Sequence, residues 1–299
     1  MLFNKAKKID FGFKSNNMLI KLIYVNLVVF LSIKLLYLFF WLMQANSSPD
    51  QWALNWLAVP ANPGSLLFKP WTLVSYMFLH LGLWHLFSNM LWLYFLGQLF
   101  LEFLGEKKLL SVYIAGGLAG GLLYIIFFNL FPVFRDALPI SRALGASASV
   151  MAIVVGVGTY APNFSIRLLF LGDVKLKYIA IFSFVIDVIS ISNSNSGGHI
   201  AHIGGAALGF LFAKQWKKGN DITAWVGTSI SFIQAIFKPS SKSKMKVKHK
   251  RSSSNYDFQS RKKEEQDKVD EILDKISRSG YDSLSKSEKD LLFKASNKN

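Results

Sequence analysis

A serine and a histidine stand where the surrounding sequence is apolar. Ser147 lies in Gly145-Ala146-Ser147-Ala148, at the mouth of one hydrophobic run. His202 lies in Ala201-His202-Ile203-Gly204-Gly205-Ala206-Ala207-Leu208-Gly209, at the mouth of another. A hydroxyl in hydrocarbon is costly unless partnered, and ionisable residues in membrane segments are candidate functional groups. A serine becomes a nucleophile once a base takes its proton, and an imidazole can do that near neutral pH. His85 and Asn89 form a second pair, spaced i and i+4 on one helix face. Both can donate hydrogen bonds to an oxyanion. Both can equally serve as polar contacts between helices.

Three residues compete for these roles. Ser149 is two positions along the same helix and faces away from Ser147. His199 is about one helical turn nearer the surface than His202. Asp187 is the nearest acid that could orient the histidine. Its place late in an apolar run puts it near the outer surface in water, so the expected machinery is a dyad.

These residues need elements to carry them. Of 299 residues, 52% are hydrophobic and 17% are charged, too apolar for the surface of a soluble domain. The chain has no cysteine, which excludes disulfides and thiolate metal sites. No cofactor and no metal is expected. A span needs about 20 apolar residues. Six stretches are candidates: 18–43, 81–104, 109–131, 147–160, 177–191 and 199–216. The fold class is therefore all-α, a polytopic membrane bundle of six transmembrane helices with a cytoplasmic tail. The first stretch is too long for a signal-peptide core, and Lys34 within it is expected to snorkel or to face the bundle. The fourth is short and is stopped by Ala161-Pro162-Asn163.

Charge gives the orientation. The net charge of +16 is uneven: twenty of the 34 Lys and Arg lie from Lys214 onward, and five lie in the first 21 residues. Both termini are therefore expected in the cytoplasm. Spans two, four and six then run from outside to inside, which brings His85, Asn89, Ser147 and His202 to one depth. Ser147 also begins a helix, where free N–H groups and the dipole favour negative charge. Gly205 and Gly209 make a G-x-x-x-G pattern below His202, expected to press span six on span four and set the serine–histidine distance. Gly116, Gly117, Gly120 and Gly121 make two more such patterns in span three.

Trp84-His85-Leu86-Phe87-Ser88-Asn89-Met90, the Gly145 motif and the His202 motif together resemble the rhomboid intramembrane serine proteases, over roughly residues 60–216. The resemblance implies that Ser147 is the nucleophile, His202 the base, and His85 and Asn89 the oxyanion donors. It implies that Lys69-Pro70-Trp71 lies in a loop of the outer leaflet. It implies substrates that are transmembrane proteins, cut in or near their spans, in a bacterial inner membrane. The chain departs from the family's frequent pattern at Thr72, Ala148 and Met151. The competing reading is a catalytically inactive relative that binds transmembrane helices. Hydrolysis needs water, so a hydrated cavity is expected on the outer side, with 144–146 as extended chain.

The remainder divides by composition. Residues 1–17 are a basic cytoplasmic N-terminus and 18–216 the membrane domain. Residues 217–238 carry an apolar helical stripe flanked by basic residues, expected as an interfacial amphipathic helix. Residues 239–263, rich in Ser and Lys, are expected as a disordered linker near anionic lipid; lipid, not nucleic acid, is the expected partner. Residues 264–299 read as a small helical hairpin, with a capping box at Ser285-Lys286-Ser287-Glu288.

Overall fold

The computed structural model describes residues 17–45, 48–168, 172–192, 195–237 and 254–296. The basic N-terminal residues 1–16, residue 238 at the end of the expected interfacial helix and residues 239–253 of the expected linker lie outside them. The chain forms two compact units, Met1–Lys238 and Pro239–Asn299.

In the first unit, helix α1 (Met18–Leu42) opens on Asn17, whose side chain accepts from the Ile20 N–H at 2.9 Å. Its buried Asn26 donates to the Leu22 carbonyl and to the Tyr113 hydroxyl, which itself donates to the Met77 carbonyl. That chain of bonds fixes α1 laterally where apolar contact alone would let it slide. Lys34 is ion-paired. Its ammonium lies 3.0 and 3.1 Å from the two carboxylate oxygens of Asp50, which sits in the first turn of α2 (Pro49–Leu57), where negative charge is favoured.

The connector to the next long helix contains β1 (Val59–Pro60), α3 (Pro63–Phe68) and α4 (Thr72–Ser75). Trp56 and Trp71 stack within it, with ring centroids 6.2 Å apart and planes 5° apart. The Trp71 indole N–H donates to the Trp56 carbonyl at 2.8 Å. The Lys69 ammonium donates to the Asn55 carbonyl at 2.9 Å and sits 4.6 Å from the Trp56 ring centre. Helices α5 (Leu83–Leu104) and α6 (Glu106–Leu130) meet at Gly105, whose φ of +81° ends one helix and turns the chain into the next. Then come β2 (Arg142–Ala143), α7 (Ser147–Tyr160), the hairpin strands β3 (Ser165–Leu168) and β4 (Gly172–Lys175), α8 (Leu176–Ile189), α9 (Ser196–Lys217) and α10 (Ala224–Phe237). The β3–β4 hairpin was not anticipated from the sequence. Among the described residues, α1, α5 and α6 are long and apolar enough to cross a membrane, and α7 is a shorter apolar helix. The six stretches chosen from the sequence fall on α1, α5, α6, α7, α8 and α9.

Glycine governs how α6, α7 and α9 meet. A Cβ on Gly205 would overlap the Ala148 carbonyl, and one on Gly209 would overlap that of Ala152. A Cβ on Gly120 would lie 2.5 Å from the Ala148 Cβ and 2.6 Å from the Ala201 carbonyl oxygen. Gly204 meets the Ala119 carbonyl in the same way, at 2.7 Å. The three backbones therefore touch almost directly, as small-residue packing permits.

In the second unit, α11 (Ser254–Ser279) begins ten residues before the expected hairpin, so the linker is shorter than its composition suggested. Gly280, at φ +77°, ends it, and α12 (Lys286–Ser296) follows. The capping box forms: the Ser285 N–H donates to Glu288 Oε2 at 2.7 Å, and the Glu288 N–H donates to Ser285 Oγ at 3.4 Å. Lys275 reaches the same carboxylate at 2.9 and 3.1 Å. These bonds, led by that from Lys275, hold the Glu288 carboxyl down to about 2.

Candidate active site

The approach to Ser147 is built by backbone. Strands β1 and β2 pair antiparallel, Val59 with Ala143 and Pro60 with Arg142. The chain therefore arrives extended and pinned at one edge. Gly145 then takes φ +116°, a conformation that side chains strain against, and its N–H donates to the Tyr76 carbonyl at 2.9 Å. The Ala146 N–H donates to Nε2 of His80 at 3.3 Å. So the strand ends at 143, and residues 145–146 form a bend where extended chain was expected over 144–146. Ser147 opens α7 directly after it. The first N–H groups of a helix have no acceptor within it and carry its positive dipole end.

Gly145 also brings two groups together. A Cβ there would lie 2.7 Å from Cε1 and 2.8 Å from Nε2 of His85, and 3.7 Å from Ser147 Oγ. The imidazole of His85 thus packs on bare backbone beside the serine hydroxyl. Asn89, one turn further along α5, is buried, and its Nδ2 donates to the His85 carbonyl at 2.8 Å. One amide hydrogen is committed to its own helix.

His85, Asn89, Ser147 and His202 all line one cavity of about 850 Å³. Its walls come from α5, α7, α8, α9 and the segment 134–145, with Gly145, Met151 and Asp187 among the lining residues. The residues expected to share a depth therefore line one common cavity. Met151, at the position where the family often has an aromatic, also joins Val155, Ala180 and Ala206 in a small apolar cluster. Ser149 is fully buried away from the cavity, and its hydroxyl has no hydrogen-bond partner among the described residues.

Two residues were misjudged from sequence. Asp187 does not lie in water: it is 6% exposed. Its Oδ1 accepts from Nδ1 of His202 at 2.8 Å and from Nδ1 of His199 at 2.9 Å. The expectation failed because α9 starts at Ser196, so its first turns cover the end of α8 and present both histidines, three residues apart, to it. Asp187, His199 and His202 are also the one group among the described residues whose ligand atoms, all within 4.8 Å of one another, could hold a metal ion. His80 was passed over. It is fully buried, five residues before His85, with the two rings 5.0 Å apart. Its polarity in an apolar stretch was the available signal.

The rhomboid domain family matches residues 68–216, which contain every one of these groups. This chain is a member of the rhomboid family. A rhomboid-like relative, the mitochondrial RHOMBOID-like protein 12 of Arabidopsis thaliana, is 32% identical over 161 residues. The match covers 50% of this chain and 47% of the relative, so the chain spans about half the length of the curated protein it matches. With its rhomboid domain and apolar helices, the protein is an integral membrane protein. Residues 255–298 match a second family, one of unknown function (DUF6576), which corresponds to α11 and α12.

Proposed function

We propose that the rhomboid domain is a serine endopeptidase that hydrolyses peptide bonds in or near transmembrane segments of other membrane proteins. The observation that carries this is the convergence of Ser147, His202, His85 and Asn89 on one cavity, with Ser147 at a helix N-terminus. Ser147 Oγ attacks the carbonyl carbon while His202 takes its proton. The oxyanion that forms meets donors from Asn89, His85 and the first turn of α7. The bond to nitrogen breaks, His202 returns the proton to the leaving amine, and water then cleaves the acyl-enzyme by the same steps.

In this reading α1, α5, α6, α7, α8 and α9 all cross the membrane, a bacterial inner membrane, with both termini in the cytoplasm. The lysine-rich segments at both ends favour that orientation, and α10, with exposed Trp225, Phe232 and Ile233, lies in the lipid interface. Membrane lipids are its neighbours, and no nucleic acid is involved. Because the chain has no native cysteine, a cysteine at Ser48 should react with an impermeant reagent from the outer side. Labelling from the cytoplasmic side alone would overturn the topology.

The deciding experiment is fluorophosphonate labelling of the purified protein beside cleavage of a model transmembrane substrate. Ser147→Ala should abolish both, and Ser149→Ala should retain both. A folded wild-type protein that neither labels nor cuts would favour the inactive, helix-binding reading.

A further inference from the structure

Asp187 is an acid placed where an acid is costly. A buried carboxylate is tolerated when it is hydrogen-bonded, and this one gives a single oxygen to two imidazoles, His202 at 2.8 Å and His199 at 2.9 Å. Both histidines belong to α9, so the two bonds fix the carboxylate from one side. A carboxylate oxygen only accepts, so Nδ1 of each ring carries the hydrogen. For neutral His202 this leaves Nε2 with the lone pair. That is the tautomer a base needs if Nε2 is to receive the Ser147 proton.

We propose that Asp187 is the positioning carboxylate of a Ser147–His202–Asp187 triad, and that His199 is the second donor that holds it in place. The proposal rests on the protease reading above. During the attack the proton moves from Ser147 Oγ to His202 Nε2, and the ring becomes an imidazolium with hydrogen on both nitrogens. Asp187 stabilises that cation without taking the proton, in the manner of other serine–histidine–acid constellations. No metal or redox partner enters the balance. His199 does not act as a base: it is absent from the residues lining the cavity, so its free nitrogen does not face Ser147.

The arrangement also answers how the histidine is held when position 151 is Met rather than an aromatic ring. A stacked ring would orient His202 by its face. Asp187 orients it by its edge, through one atom.

The test uses the full-length protein in detergent and the model transmembrane substrate. Asp187→Asn should lower kcat by about 10²-fold or more, the low end of what general acid–base catalysis contributes, with KM little changed. His199→Ala should lower kcat by about tenfold or less, since Asp187 keeps its other bond. Ser147→Ala run beside them should abolish turnover. ¹⁵N spectra of the unaltered protein, which has only five histidines to assign, should show neutral His202 protonated at Nδ1. That measurement decides the matter if Asp187→Asn does not fold. Turnover of Asp187→Asn within twofold of wild type, or His202 protonated at Nε2, overturns the triad while leaving the serine assignment intact. Turnover that persists in Ser147→Ala overturns both. Activity lost to a chelator and restored by zinc overturns the triad in favour of a metal centre on the same three residues.

Discussion

Helices α7 and α8 are each fourteen residues long and apolar, yet they are used in opposite ways. Eleven residues of α7 are buried, from Ala148 to Gly158 without a break. On α8 only Leu176, Ile179, Ala180 and Asp187 are buried, and Tyr178, Ile181, Phe182 and Ile189 point outward. The helix that opens on Ser147 is thus clamped on all sides, and its closest neighbour, α9, carries His202. The helix that carries Asp187 is peripheral and lines the cavity only from its middle onward, at Phe182, Ser183, Ile186 and Asp187. The helices that carry Ser147 and His202 are held together by backbone contact, whereas the Asp187 carboxylate is held by hydrogen bonds. Precision in this fold comes from small residues in the middle of the bundle and from polar bonds at its edge.

The comparison breaks most visibly at Gly205. Gly205→Leu inserts a branched side chain against the Ala148 carbonyl, and overpacking of a close-packed interior costs about 1–3 kcal/mol or more. The expected result is loss of cleavage together with a lower thermal midpoint in detergent. A variant with unchanged midpoint and turnover would mean that α7 and α9 are not in backbone contact. Asn89→Ala tests the chemistry on the neighbouring helix instead of the packing. Turnover should fall by about 10² to 10³-fold with the fold retained, as for removal of one oxyanion donor. Unchanged turnover would make Asn89 a structural contact, consistent with its bond to the His85 carbonyl.

A matched pair sharpens the contrast with the smallest effects. Ile153→Ala in the middle of α7, fully buried, should destabilise by about 2–5 kcal/mol. Ile181→Ala on α8, 58% exposed, should change stability by about 0.5 kcal/mol or less. Equal losses from the two would show that α8 is as tightly held as α7.

The convergence of Ser147, His202, His85 and Asn89 on one cavity was legible because each is a polar residue interrupting an apolar run at a recognisable spacing. The helix limits were legible for the same reason: α7 was placed from 147 to 160 by its flanking motif and by Pro162. Asp187 was not, because its role depends on where α9 begins, and nothing local to α8 reveals that a neighbouring helix will cover its end. His80 was missed because it lies outside any helical period, in the bend before α5, and acts on backbone rather than on a side chain. The linker boundary failed on composition. Residues 254–263 are polar enough to read as disordered, yet their charged residues belong to a helix that continues into the apolar stripe at Val269, Ile272 and Leu273.

The two-residue pairing of β1 with β2 has a mechanical consequence. It ties the Trp56–Trp71 segment to the strand that delivers Ser147, across about eighty residues of intervening chain. A two-residue sheet has little strength of its own, but it acts as a lever arm. A displacement of the segment that exposes Leu67 and Phe68 would therefore bear on the backbone that leads through Gly145 to Ser147. The loop before α5 and the turn before α7 are thus held in one hydrogen-bonded frame.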